Sequence, residues 1–168
     1  MRDNGEEMFP VVDEEGNILN AATRAKCHDG SKLLHPVVHL HLFDKEGRLY
    51  LQKRPEWKDI QPGKWDTAVG GHVDLGENIH QALRREAKEE LGLEDFDAEL
   101  LAQYVFESEI ERELVNSFKA VTDIKPVPSS EVAEGKFWSK EEIESAMGKG
   151  VFTPNFESEY KKLFGENL

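Results

Sequence analysis

Short apolar runs alternate with polar breaks along this chain, at spacings that predict strands and helices in mixed order. Residues 9–12 read as a strand, Asp13-Glu14-Glu15-Gly16-Asn17 as a turn, and Ile18 onward as the returning strand. Residues 23–27 fit a helical turn before the loop His28-Asp29-Gly30. Residues 37–43 and 49–54 predict paired strands around the turn Asp44-Lys45-Glu46-Gly47. After a loop punctuated by Pro55, Pro62 and Gly63, residues 65–69 predict a strand that ends at Gly70-Gly71. The apolar period then changes. Ile79, Leu83, Ala87 and Leu91 recur every four residues, which predicts a helix over 78–91 with Gly92 as its C-terminal cap. Further strands are expected within 99–107, 113–121 and 135–138, a helix capped by Ser139 with Glu142, and a terminal helix over 155–164. The fold class expected is α/β, with a mixed sheet and helices packed on it. One domain over 1–168 is expected, of which 1–35 form an N-terminal strand-and-helix extension.

Composition narrows this picture. Of 168 residues, 38% are hydrophobic and 33% charged, the balance of a folded soluble domain rather than a disordered chain. The longest apolar runs are strand-sized, and the acidic N-terminus holds no apolar stretch of signal-peptide length. Cys27 is the only cysteine, so no internal disulfide forms, and a cytoplasmic location is expected. Acidic residues outnumber basic ones 34 to 21, a formal net charge of -13. Such a surface repels nucleic-acid backbones and anionic membranes, so neither is an expected partner. It also repels a phosphorylated small molecule unless cations reverse the sign locally.

The densest chemistry lies in residues 71–93. Gly71 is followed after five residues by Glu77, and after seven more by Arg85-Glu86-Ala87-Lys88-Glu89-Glu90-Leu91-Gly92-Leu93. On a helix, Glu89 and Glu90 sit three and four residues beyond Glu86, within about one turn. Carboxylates so close repel one another unless a cation lies between them. Hard oxygen donors suit Mg²⁺ or Mn²⁺, which keep part of their water shell for substrate phosphates. Ile79, Leu83 and Ala87 form the packing face with Glu86 and Glu90 on its flanks, so the acids edge toward a cleft. Arg85 is placed to pair with Glu77 and lock the preceding loop to the helix. Gly70 and Gly71 allow a tight turn that brings backbone carbonyls near a metal. The plainer alternative is a solvated acidic face balanced by Arg84, Arg85 and Lys88. The fixed offsets of the glycines, Glu77 and Arg85 from the acids weigh against it.

This window resembles the signature of the Nudix hydrolase family, Gly-x5-Glu-x7-Arg-Glu-U-x-Glu-Glu-x-Gly-U, where U is a bulky aliphatic residue. Every strictly fixed position matches, and Ala87 is smaller than the usual aliphatic. The resemblance implies an α/β/α sandwich in which the window forms a loop, a helix and a loop. It implies that Glu86, Glu89 and Glu90 ligate Mg²⁺ (or Mn²⁺), with the Gly71 carbonyl as a further ligand. It makes Glu86, Arg85 and Glu77 the catalytic set, Glu86 serving as base for the attacking water. The reaction implied is cleavage of a diphosphate bond in a nucleoside diphosphate linked to another moiety, or in a similar organic diphosphate. The partner is then a small-molecule diphosphate, and a homodimer is left open.

Outside that window the chain is similar to the isopentenyl-diphosphate isomerase-like branch of the superfamily. His28 and His35 resemble that branch's metal-binding histidines, the run Pro62-Gly63-Lys64-Trp65 to His72 leads to its third, and Glu111-Arg112-Glu113 matches its Glu-x-Glu. The resemblance implies a second metal site on His28, His35, His72, Glu111 and Glu113. The alternative is that the histidines are exposed or hydrogen-bonded for structure alone. Arg54 and Lys58 match residues that grip the diphosphate, and are otherwise ordinary surface cations. The isomerase's active-site cysteine falls on Gly70, and an allylic proton shift needs an acid and a base that glycine does not supply. Hydrolysis is therefore the first expectation, isomerisation the second, and a non-catalytic metabolite sensor the third. His39 and His41 share one face of a strand and are expected to be structural, while Trp57, Trp65 and Trp138 are core or loop anchors by default, with base stacking as the alternative for Trp57.

Overall fold

The structure, a computed structural model, describes residues 5–58, 61–130 and 132–165. It is an α/β fold of nine strands and four helices among the described residues. The strands are β1 (Met8–Val12), β2 (Ile18–Thr23), β3 (Leu34–Phe43), β4 (Leu49–Lys53), β5 (Trp65–Thr67), β6 (Val69–His72), β7 (Glu99–Glu107), β8 (Arg112–Val121) and β9 (Glu134–Trp138). The helices are α1 (Arg24–Cys27), α2 (Ile79–Leu91), α3 (Lys140–Ala146) and α4 (Pro154–Leu163). β1 and β2 form a two-stranded sheet. The other strands form a seven-stranded sheet in the order β5-β4-β3-β8-β7, with β6 on β3 and β9 on β4.

The chain divides into two compact units. The first comprises Met1–His39, Gly70–Glu86 and Leu100–Phe118, and the second Leu40–Val69, Ala87–Glu99 and Lys119–Leu168. In the first unit, β1 and β2 pair antiparallel from Met8↔Thr23 to Val12↔Ile18, with a register shift at Val11/Val12. The turn between them is closed by Asp13, whose carboxylate accepts from the backbone N–H groups of Glu15 and Asn17. Thr23 caps α1 by accepting from the Lys26 N–H, and Val12, Leu34 and Leu114 pack together. Asn116 is fully buried, and its amide donates to the carbonyls of Val37 and Leu114 while accepting from Gln103.

In the second unit β4 is central. It pairs antiparallel with β5 (Gln52↔Asp66), with β9 (Tyr50↔Phe137) and, at Leu49, with Phe43 of β3. Leu49, Leu51, Trp65, Trp138, Ile143, Phe152, Phe156 and Tyr160 form one buried cluster. Ser139 and Glu142 form the capping box expected of α3, and Thr153 caps α4, with Pro154 in its first turn. His41 is fully buried against Glu159 of α4. Trp65 and Trp138 are core residues, whereas Trp57 is 69% exposed.

One sequence expectation is corrected. Residues 65–69 are not a single strand stopping at the glycines. The chain bends at Ala68, and β6 runs on through Gly70 and Gly71 to His72. The reason is close approach rather than strand ending: a Cβ on Gly71 would collide with the Glu86 carboxyl group.

Phe156 lies 5.2 Å from Phe152 and 5.7 Å from Tyr160, ring centre to ring centre, and is 1% exposed. Phe156→Ala is expected to lower stability by about 3–5 kcal/mol, read as a lower urea midpoint at unchanged slope. A loss under about 1 kcal/mol would mean that this cluster does not hold the unit together.

Candidate active site

The helix that carries the acids is fixed at both ends. At its start the Gln81 N–H donates to Asn78 Oδ1 at 2.8 Å, and the Asn78 N–H donates to Gln81 Oε1 at 2.9 Å, a reciprocal pair that satisfies two N-terminal donors. At its end Gly92 takes φ +63° and its N–H donates to the Lys88 carbonyl at 3.0 Å. Ala82, Leu83, Ala87 and Leu91 are buried, Glu86 and Glu90 are half-buried beside them, and Arg84, Lys88 and Glu89 are exposed. Because α2 is continuous from Ile79 to Leu91, its acids at 86, 89 and 90 keep the i, i+3, i+4 spacing.

Arg85 organises the loop before the helix. Its guanidinium donates from Nε to Glu77 Oε2 at 2.8 Å and from Nη2 to Glu77 Oε1 at 2.9 Å, a two-point clamp. Nη2 also donates to the His72 carbonyl at 3.0 Å, and Nη1 to Glu86 Oε1 at 2.5 Å. The Glu77 bonds, with those to Glu86, raise the Arg85 pKa well above its ordinary value, so its charge is permanent. Glu77 in turn accepts from the Asp74 N–H at 2.9 Å. The loop 72–77 is thereby tied to α2, and the Glu86 carboxylate lies against the backbone of Gly71, in the space where any other residue would place its Cβ. Hard carboxylate oxygens beside an unobstructed backbone fit Mg²⁺ or Mn²⁺.

The cations at 54 and 58 belong to a loop pinned at its base. The Arg54 N–H donates to the Lys64 carbonyl at 2.8 Å, and the Gly63 N–H to the Arg54 carbonyl at 3.1 Å. Arg54 Nη1 lies 3.9 Å from Asp66 Oδ2, and Lys58 Nζ sits 5.0 Å above the Trp57 ring.

The histidines converge. His28, His35 and His72 place ligand atoms within 4.8 Å of one another, as do His35, Glu111 and Glu113. His35 is fully buried, and its Nδ1 donates to the Leu33 carbonyl at 2.9 Å. A carbonyl only accepts, so Nδ1 carries the proton and Nε2 presents a lone pair that has no hydrogen-bond partner. His72 Nε2 is likewise buried without one, 4.0 Å from Glu113. His28 Nε2 lies 2.9 Å from Glu111. Burial lowers the pKa of both His35 and His72; with the Arg24 charge adding to it, that of His72 falls to about 3. Burial works against Glu111 as well, yet the bond and charge of His28 hold it below the usual carboxylate range. Imidazole nitrogens together with carboxylate oxygens are the donor set of a transition-metal ion.

Two contacts at these sites had no signal in the sequence. Phe9 of β1 is fully buried and stacks on His72, with ring centres 4.6 Å apart and planes at 4°. Gln52 of β4 donates to Glu90. A hydrophobic residue and an amide in alternating strands look like any other; only their placement in the fold singles them out.

Comparison with known proteins gives the family. Residues 33–156 match the NUDIX domain. An uncharacterized Nudix hydrolase of Yersinia pestis is 36% identical over 103 residues, which is 61% of this chain but only 56% of that relative. One from Listeria innocua is 33% identical over 153 residues, 85% of this chain and 90% of its own length. An isopentenyl-diphosphate Delta-isomerase of Clavibacter michiganensis is 30% identical over 149 residues, 84% of this chain and 76% of its own. A crystal structure from Deinococcus radiodurans shares the fold with a TM-score of 0.78 at 22% identity, covering 94% of this chain and 99% of that one. The chain belongs to the Nudix family and is an enzyme of its pyrophosphohydrolase class. The likeness to the isomerase-like branch also holds.

Two outcomes follow from the site's geometry. Gly71→Ala drives its methyl into Glu86, and is expected to lower turnover by at least ~100-fold while the protein stays folded; near-normal turnover would show that the contact is dispensable. The second concerns pH. His35 and His72 have folded pKa values below the ordinary 6.5, so the stability they confer is complete above pH 6.5 and is lost as pH falls toward their folded values. Glu111 is held below the usual carboxylate range, chiefly by its bond to His28, so its own protonation adds little to the loss between about pH 6.5 and 4.5. The urea midpoint is expected to fall across that window, with a slope of up to about 1.4 kcal/mol per pH unit for each imidazole. His72→Gln flattens the slope; an unchanged slope would mean that His72 protonates freely in the fold.

Proposed function

We propose that the protein is a Mg²⁺-dependent (or Mn²⁺-dependent) hydrolase that cleaves a diphosphate bond in a nucleoside diphosphate linked to another moiety, or in a similar organic diphosphate. The observation that carries this reading is the seat of Glu86: its carboxylate rests against side-chain-free Gly71 and is oriented by Arg85. Glu86, Glu89 and Glu90, with the Gly71 carbonyl, would hold the cation. Bound there, the metal supplies neutralisation of the diphosphate and a lowered pKa for water. Glu86 accepts the proton of the attacking water. Arg85 and Glu77 fix the position of Glu86 and of the loop that carries Gly71. Arg54 and Lys58 take the phosphate oxygens remote from the attacked phosphorus. The net charge of -13 supports a small-molecule substrate held through cations and speaks against nucleic acid or membrane partners. No helix among the described residues is long and apolar enough to cross a membrane, and a cytoplasmic setting and a homodimer are compatible with this reading.

His28, His35, His72, Glu111 and Glu113 fit a second, nitrogen-rich site for a transition metal, on the strength of the two buried, unpartnered Nε2 atoms. The similarity to isomerases brings isopentenyl diphosphate isomerisation forward as the second reading. Against it, Gly70 has no side chain to move a proton. Cys27 is no substitute, since it is fully buried and its thiol is pushed up to about 11 by burial and by Glu111 and Asp29.

The test is product analysis over a panel of nucleotide-linked and other organic diphosphates, with and without Mg²⁺. Metal-dependent release of a phosphorylated product is expected, and Glu90→Gln lowers it by at least ~100-fold because a ligand charge is lost. Turnover without metal, or full turnover in Glu90→Gln, contradicts the reading. Dimethylallyl diphosphate formed from isopentenyl diphosphate would favour the isomerase instead.

A further inference from the structure

Gln52 lies on β4, away from the motif that carries the acids, yet its amide reaches one of them. Its two N–H groups are shared among three acceptors, each 3.1 Å from Nε2: Glu90 Oε1 and the carbonyls of Thr67 and Ala68. All three partners are oxygens that accept, which fixes the amide with its nitrogen toward them. Thr67 ends β5, and Ala68 is the bend before β6, so Gln52 holds the carbonyls of the strand break that precedes the two glycines. Its backbone is itself fixed by pairing with Asp66 on one side and Gly135 on the other. The backbone of Glu90 is fixed as well, since its carbonyl accepts from the Ser129 N–H at 2.9 Å and that of Leu91 from the Val127 N–H at 2.8 Å. With both backbones set, the amide bond ties the Glu90 carboxylate to β4 through Oε1.

We infer that Gln52 is a positioning residue for the metal site: it orients the Glu90 carboxylate toward the cation. This deepens the hydrolase reading and rests on Glu90 being a ligand. Ligating carboxylates are commonly held by hydrogen bonds from a second layer, whose loss costs about 10–100-fold in metal affinity or activity. A neutral donor suits the task, because a cation there would compete with the metal for Glu90 and an anion would repel it.

The test uses Mn²⁺ as probe, following by electron paramagnetic resonance the bound Mn²⁺ that excess Mg²⁺ displaces. This fraction reports oxygen-rich sites rather than imidazoles. Gln52→Met removes the amide at similar length, and Gln52→Glu keeps the shape and reverses the interaction. Both are expected to weaken this Mn²⁺ binding, by about 10–100-fold in Gln52→Met and more in Gln52→Glu. In Gln52→Met the metal concentration for half-maximal turnover rises by the same factor, while kcat at saturating Mg²⁺ stays within a few-fold of the wild type. A purely structural role would lower the melting temperature and leave the Mn²⁺ affinity of the folded protein unchanged; that result overturns the inference. If Gln52→Met does not fold, Gln52→Glu with unchanged Mn²⁺ affinity overturns it equally. Glu90→Gln is measured alongside: lost binding there with intact binding in both Gln52 variants refutes this inference alone, whereas intact binding in Glu90→Gln refutes the metal role of Glu90 and both readings together.

Discussion

Like charge crowded onto a short helix is the constraint around which this site is arranged. Glu86, Glu89 and Glu90 occupy one turn of α2 in a protein whose formal charge is already -13. At such separations the repulsion between carboxylates is substantial in a partly buried setting. Arg85 answers part of it, but its guanidinium is committed to Glu77, the His72 carbonyl and Glu86 together. A helix that only needed solubility would spread its acids among lysines. Here two of the acids are half-buried beside the packing face, one against a glycine backbone and one against a strand amide. The arrangement makes physical sense when a divalent cation supplies the missing positive charge.

The two donor sets differ in the ion they invite. The acids of α2 are hard oxygens, one of them exposed, and suit an ion that keeps water and exchanges it for phosphate. The histidine cluster is nitrogen-rich and drier. His35 is tautomerically fixed by the Leu33 carbonyl, His72 is stacked beneath Phe9, and burial keeps both rings neutral.

Much of this was legible in the residues. The fourfold period of Ile79, Leu83, Ala87 and Leu91 located α2, and the Arg85–Glu77 pairing followed from their spacing and charge. The capping box at Ser139 carried its own signature. What stayed hidden depends on contacts between segments far apart in sequence. The strand break at Ala68 could not be read, because local propensity treats Gly70-Gly71 as an ending, whereas the glycines admit the Glu86 side chain from α2. Phe9 is about 60 residues from the histidine it stacks on, and Gln52 is 38 residues from Glu90. The role of each is set by tertiary placement, which no periodicity encodes.

The most direct measurement of the central idea is anomalous scattering from crystals grown with Mn²⁺. A peak bonded to carboxylate oxygens of α2, Glu86 and Glu90 among them, is the expected result. Crystals saturated with Mn²⁺ that show no peak on α2, with those side chains turned to solvent or held by protein groups alone, would contradict it.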